Sequence, residues 1–203
     1  MNIAVFCSGK GSNLQAIIDA KKSGIFQADI ALMVCDNPDA YAVKIAEKKN
    51  IPCLVINRKD FSSKEYFEKR IISALEEKQI RLICLAGYMR LFSPEFVQKY
   101  AGRIINIHPA LLPAFKGASA IEDAFDYGVR VSGVTVHFVT EDVDAGPIIL
   151  QESVKIEDND TREVFAEKIH RVEHKLYPQA IKLFIDGRLS IAGRKVEITQ
   201  SRG

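Results

Sequence analysis

The first half of the chain alternates short apolar runs with amphipathic ones, the pattern of repeated strand–helix units on a parallel sheet. Asn2–Cys7 is apolar almost throughout, as a strand buried on both faces must be. Ser12–Lys22 places Leu14, Ile17 and Ile18 at helical spacing. Ile30–Cys35 is a second strand-like run, closed by the turn-forming residues Asp36-Asn37-Pro38-Asp39. Tyr41–Lys49 predicts a helix, Pro52–Ile56 a strand, and Ser62–Lys78 a helix with Phe67, Ile71, Ile72 and Leu75 on one stripe. Arg81–Ala86 and Arg103–Ile107 are the next strands, separated by a helix that starts near Ser93-Pro94-Glu95.

Beyond residue 130 the pattern changes. Val131–Val139 alternates apolar with small or polar residues, and Pro147–Ile156 is a second β-rich run. Two such runs joined by a short acidic loop predict a hairpin-like antiparallel extension. Asp160-Thr161-Arg162-Glu163 fits a capping box opening a long helical region to about Asp186, which Pro178 is expected to kink or interrupt and Gly187 to end. Leu189–Ala192 and Lys195–Ile198 form a short β-like tail. With no repeat, low-complexity stretch or linker, residues 1–203 are expected to form one α/β domain. Its core is a Rossmann-like, mostly parallel twisted sheet with flanking helices and an antiparallel C-terminal extension.

Composition narrows the picture by exclusion. At 47% hydrophobic and 27% charged the chain is an ordinary globular one, and a net charge of +2 is too small to argue for nucleic acid or an anionic membrane as partner; neither is expected. The apolar runs are strand-sized, and Met1 leads straight into a strand without a basic leader, so a cytoplasmic protein is expected. Cys7, Cys35, Cys53 and Cys84 lie far apart in or beside apolar runs, as buried reduced thiols do, and their spacing suggests no metal site.

Three segments carry candidate chemistry. Ser8-Gly9-Lys10-Gly11-Ser12-Asn13 lies between the first strand and the first helix, where backbone N–H groups and the helix N-terminus can cradle a phosphate or carboxylate. It is a weak dinucleotide fingerprint, because Leu14 takes the place of the third glycine or alanine, although Asp36 could mimic a ribose-binding acid. Ala86-Gly87-Tyr88-Met89-Arg90-Leu91-Phe92-Ser93-Pro94 sits at the carboxyl end of a strand, with Gly87 allowing close approach. Met89, Leu91 and Phe92 offer an apolar wall for a flat ring, and Arg90 offers a carboxylate fork. Asn106 and His108 end the fifth strand on one face, about 6.6 Å apart by the usual rise. An amide donor beside an imidazole suits a developing oxyanion. If the loop Glu141-Asp142-Val143-Asp144-Ala145-Gly146-Pro147 folds back, Asp144 could orient His108 and stabilise its protonated form.

Gly11-Ser12-Asn13, Ala86-Gly87-Tyr88-Met89-Arg90, Asn106-Ile107-His108-Pro109 with Leu111-Leu112-Pro113, and Asp144-Ala145-Gly146-Pro147-Ile148-Ile149 occur together and in order. In this combination the chain resembles the phosphoribosylglycinamide formyltransferases, the folate-dependent transformylases of purine synthesis, from Asn2 to about Leu189. The resemblance implies the formyltransferase fold and small-molecule substrates: 10-formyltetrahydrofolate as formyl donor and the amine of glycinamide ribonucleotide as acceptor. It implies that Gly11, Ser12 and Asn13 hold the substrate phosphate, with Gly87 nearby. His170 and Glu173 would place the ribose and glycinamide end. Met89, Arg90, Leu91 and Phe92 would line the folate site, with Lys64 near it and the backbone around Thr140, Glu141 and Asp144 at the pterin. Asn106 and His108 would bind the formyl oxygen, and Asp144 would hold His108 charged. No metal is implied, and a monomer or weak homodimer is expected. Ser119 and His170 depart from the residues usual for this family.

Two other readings compete. His170-Arg171-Val172-Glu173-His174 matches a His-x-x-Glu-His zinc-peptidase pattern on a predicted helix, although only a short tail remains to supply a third ligand. A noncatalytic nucleotide-binding module would bind NAD or a mononucleotide and tolerate loss of His108.

Overall fold

Ile3 to Cys7 are fully buried, because the first strand lies between two others and is covered on both faces. The computed structural model describes residues 1–200 and divides into two compact units, one from Met1 to Ile105 and one from Asn106 onward.

In the first unit β1 (Asn2–Cys7) pairs in parallel with β2 (Asp29–Cys35) and β4 (Ile80–Leu85), and β2 pairs in parallel with β3 (Cys53–Val55). The strand order is therefore β3-β2-β1-β4, and β5 (Ile104–His108) begins beside β4, where the Ile83 N–H reaches the Arg103 carbonyl at 2.8 Å. The crossovers are α1 (Ser12–Lys22), α2 (Tyr41–Lys48), α3 (Lys64–Glu77) and α4 (Pro94–Lys99), with a short 3₁₀ turn at Arg58–Asp60 that the sequence pattern does not predict. Ser93 caps α4 through its hydroxyl, which accepts the Phe96 N–H at 3.2 Å. Burial raises the Cys7 and Cys84 thiols well above their usual range and pushes Cys53 up to about 11.

The second unit carries the antiparallel extension. β6 (Val131–Phe138) and β7 (Ile148–Lys155) form an antiparallel pair in which Thr135 faces Gln151. β8 (Leu189–Ala192) and β9 (Lys195–Ile198) are antiparallel to each other, and β9 joins β7 at Ile148 and Lys195. A mostly parallel sheet with flanking helices and an antiparallel C-terminal extension is thus the architecture found. All of β6 except Val131 is buried, so its polar residues Ser132, Thr135 and His137 lie inside the protein. α5 (Ala120–Tyr127) is an element the sequence pattern misses; it buries only Ala120 and Ala124, side chains too small to mark a helical stripe.

α6 (Arg162–Ile185) corrects two expectations. Thr161 alone is the cap, accepting the Val164 N–H at 3.3 Å, so the predicted box does not form. Asp160 is engaged in the preceding turn, accepting the Glu157 N–H at 2.8 Å and pairing with Lys168 at 2.5 Å. The helix also runs through Pro178 without ending, because burial of Leu176, Tyr177, Pro178, Ala180 and Ile181 offsets the missing N–H. It closes at Gly187 as expected, with Gly187 N–H on the Phe184 carbonyl and Arg188 N–H on Leu183.

Candidate functional site

Gly11 precedes α1 with φ +74°, and a Cβ there would lie 2.9 Å from the Cα and Cβ of Ala42. Only glycine fits both the left-handed backbone and that contact. The turn thereby delivers Ser12 and Asn13 to the start of a helix whose first turn holds no acidic residue, a place that favours an anion. Ser12 is exposed and Asn13 buried.

The 87–93 segment of the same unit is fixed at both ends. The Ser8 N–H donates to the Gly87 carbonyl at 3.0 Å, and the Ser8 hydroxyl accepts the Met89 N–H at 2.9 Å. At the other end the buried Glu68 carboxylate accepts the Ser93 N–H at 2.8 Å, with the Lys64 ammonium 3.9 Å from the same oxygen. Between these ends Met89 and Leu91 are strongly exposed, 64% and 67%. Phe92 is half-buried and stacks on Phe96 with ring centroids 4.1 Å apart. Arg90 pairs through Nε with Asp36 at 2.5 Å, which engages the acid that a dinucleotide reading would assign to a ribose.

In the second unit Asp144 collects the polar side chains. The loop bends at Gly146, where a Cβ would stand 1.8 Å from the Phe138 carbonyl oxygen, and leaves Asp144 at φ +48°. Its Oδ2 accepts the Gly117 N–H at 2.9 Å and lies 3.4 Å from His108 Nδ1; its Oδ1 lies 3.4 Å from Asn106 Nδ2 and 3.6 Å from His137 Nε2. Burial raises the Asp144 carboxyl, but the Gly117 N–H it accepts and the charge His108 can carry act against this, and the group is held below the ordinary carboxylate range. Asn106 and His108 do share a face of β5, since both reach this one carboxylate. The other ring nitrogen of His108, Nε2, lies 2.7 Å from the carbonyl oxygen of Phe115, whose own φ is +50°.

Thr140 and Glu141 are exposed in the loop just before Asp144, with the Thr140 hydroxyl 3.4 Å from the Asp142 carbonyl. On α6 the His170 ring lies 2.9 Å from the buried Glu173 carboxylate. Burial lowers His174 below the usual imidazole value, and no group of three His, Cys, Asp or Glu that could hold a metal occurs among the described residues.

A family model described as formyl transferase matches residues 1–181. The chain belongs to the formyl transferase family. It is 48% identical over 179 residues to the phosphoribosylglycinamide formyltransferase of Bacillus subtilis, covering 88% of this chain and 92% of that one. It is 44% identical over 200 residues to the trifunctional purine biosynthetic protein adenosine-3 of Bos taurus, and it spans 98% of its own length but only 20% of that protein. Among solved structures, glycinamide ribonucleotide transformylase 1 from Symbiobacterium toebii superposes with a TM-score of 0.95 at 42% identity, covering 98% of this chain and 94% of that one.

Sequence reasoning missed three parts of this cluster around Asp144: His137, the Gly117 N–H and the Phe115 carbonyl. His137 could have been found as the one ionisable residue inside the Val131–Val139 strand pattern. The two backbone groups left no side-chain signal.

Proposed function

We propose that this chain transfers the formyl group of 10-formyltetrahydrofolate to the amine of glycinamide ribonucleotide, giving formylglycinamide ribonucleotide and tetrahydrofolate. Family membership supports formyl transfer, and the names of the similar enzymes supply the substrates. The observation that carries the reading is the convergence of Asn106 and His108 on the Asp144 carboxylate.

In the reaction the amine attacks the formyl carbon, and negative charge develops on the formyl oxygen. Asn106 Nδ2–H and the His108 imidazolium donate to that oxygen, the arrangement that stabilises an acyl-transfer transition state. A carbonyl can only accept, so His108 Nε2 carries a proton opposite Phe115, and a second proton on Nδ1 faces the Asp144 carboxylate. The Nε2–H serves the formyl oxygen once Phe115 yields it. The tetrahedral intermediate collapses as N10 of the folate leaves, taking a proton relayed by water from the attacking amine.

Gly11, Ser12 and Asn13 hold the phosphate in this proposal, with Gly87, His170 and Glu173 on the rest of the ribonucleotide. Lys64, Met89, Arg90, Leu91 and Phe92 serve the folate, together with Thr140 and Glu141. The chain acts as one cytoplasmic formyltransferase domain over 1–203, a monomer or weak homodimer with no nucleic-acid or membrane partner. The small net charge gives no reason to invoke a nucleic-acid partner. Release of tetrahydrofolate by purified protein given both substrates tests the reading, and no release with that pair overturns it.

A further inference from the structure

We infer that His137 is a positioning residue for Asn106: its neutral ring, protonated on Nδ1, accepts an amide proton of Asn106 and keeps that amide from turning over. The inference rests on the formyl-transfer reading for its kinetic consequence, though not for its geometry.

His137 is 2% exposed, in the last turn of the pleat of β6, so its ring nitrogens must find partners within the protein. Nδ1 lies 2.8 Å from the Phe138 carbonyl oxygen, which can only accept, and therefore carries the proton. In the neutral ring Nε2 then presents a lone pair, and 3.3 Å away stands Asn106 Nδ2. The same Nδ2 lies 3.4 Å from Asp144 Oδ1, while the Gly117 N–H and His108 take up Oδ2. An amide nitrogen has two protons, and here it meets two acceptors.

The opposite arrangements fail on hydrogen bonding. Turned over, the Asn106 amide would set its oxygen against the His137 lone pair and the Asp144 carboxylate together. A proton on His137 Nε2 would confront the Asn106 nitrogen donor to donor, and its path to Asp144 Oδ1 is 3.6 Å, beyond an ordinary N–H···O bond. The neutral Nδ1–H form gives both ring nitrogens of His137 and the Asn106 Nδ2 a partner at once. During transfer the formyl oxygen takes over the proton that faces Asp144, and His137 retains the other, so Nδ2 rather than Oδ1 stays at the reacting oxygen.

The ring state is read directly by long-range proton–nitrogen correlation on the ¹⁵N-labelled wild-type protein near neutral pH, without substrates. The expected pattern for His137 is Nδ1 protonated and Nε2 bare; a protonated Nε2 overturns the proposal. In steady-state assays His137→Leu should lower kcat about tenfold, the worth of one hydrogen bond, with both KM values within about twofold. His137→Gln, whose side-chain oxygen can accept the same proton, should recover part of the loss. In an Asn106→Ala background the His137→Leu effect should vanish; an undiminished effect there, or unchanged kcat in the single variant, overturns the proposal. Should wild-type protein fail to transfer formyl, the functional reading falls, and the ring state still decides the positioning.

Discussion

Asp144 reaches His108 from a left-handed backbone, φ +48°, that places its Oδ2 3.4 Å from His108 Nδ1. Such a conformation disfavours most side chains and is tolerated best by Asn, Asp and Gly. Asp144→Asn therefore keeps the backbone while removing the charge opposite His108. It should lower kcat by roughly 10²–10³, the range seen on loss of an oxyanion donor, with smaller changes in KM. Steady-state kinetics check this, and near-normal turnover in the variant removes Asp144 from the mechanism.

The depressed Asp144 carboxyl also makes stability depend on pH. The folded state prefers the ionised form. Its contribution is thus complete above the unfolded carboxyl value of about 3.9 and is lost as pH falls through the lower folded value. The melting-temperature advantage of wild type over Asp144→Asn should shrink as pH falls from about 5 into more acid solution. Thermal melts of both proteins across that range test the sign; an advantage that grows as pH drops below about 5 contradicts it.

Gly146 has a steric role that Gly9 does not share. A Cβ at Gly146 would meet the Phe138 carbonyl oxygen at 1.8 Å, whereas one at Gly9 meets nothing within 4 Å. The Phe138 N–H also bonds the Pro147 carbonyl at 2.9 Å, so the Asp144 loop cannot lift away without breaking the start of the β6–β7 ladder. Gly146→Ala should cost on the order of 3 kcal/mol or fail to fold, in the manner of overpacking at a site with no room to relax, and Gly9→Ala well under 1 kcal/mol. Denaturant unfolding of the two variants separates these outcomes.

Much of this was legible from sequence because it depends on local order along the chain. The strands of the first unit announce themselves as apolar runs, and Asn106 and His108 share a face by strand alternation alone. What was not legible depends on pairing between distant segments. Arg90 finds Asp36 because β1 lies between β2 and β4, a strand order that no local pattern encodes. Glu68 carries no signal in the Ser62–Lys78 helix pattern, yet its carboxylate holds the Ser93 N–H. His137 stands out in the β6 pattern as its one ionisable residue, but only the tertiary structure sets it beside Asn106 and Asp144. α6 shows the reverse failure: Pro178 is a strong local breaker signal, overruled by tertiary burial.

Thr135 holds the segment that follows His108. Its buried hydroxyl donates to the Ala110 carbonyl at 2.7 Å and accepts the Leu112 N–H at 3.1 Å and the Gln151 side-chain amide at 2.9 Å. Gln151 also donates to the Leu112 carbonyl at 3.0 Å, so both polar backbone groups of Leu112 depend on this pair. Thr135→Val preserves shape and leaves the Leu112 N–H without its acceptor, at a cost of about 1–3 kcal/mol for an unsatisfied buried donor. Thr135→Ser keeps the hydroxyl and should lose less, through the missing methyl alone. Hydrogen exchange at the Leu112 amide distinguishes a local clamp from general destabilisation. Exchange there should accelerate in Thr135→Val by more than the loss of global stability explains, while the Ile3–Cys7 amides of β1 follow global stability alone. Equal acceleration at both places would mean that Thr135 serves the core and not the segment beside His108.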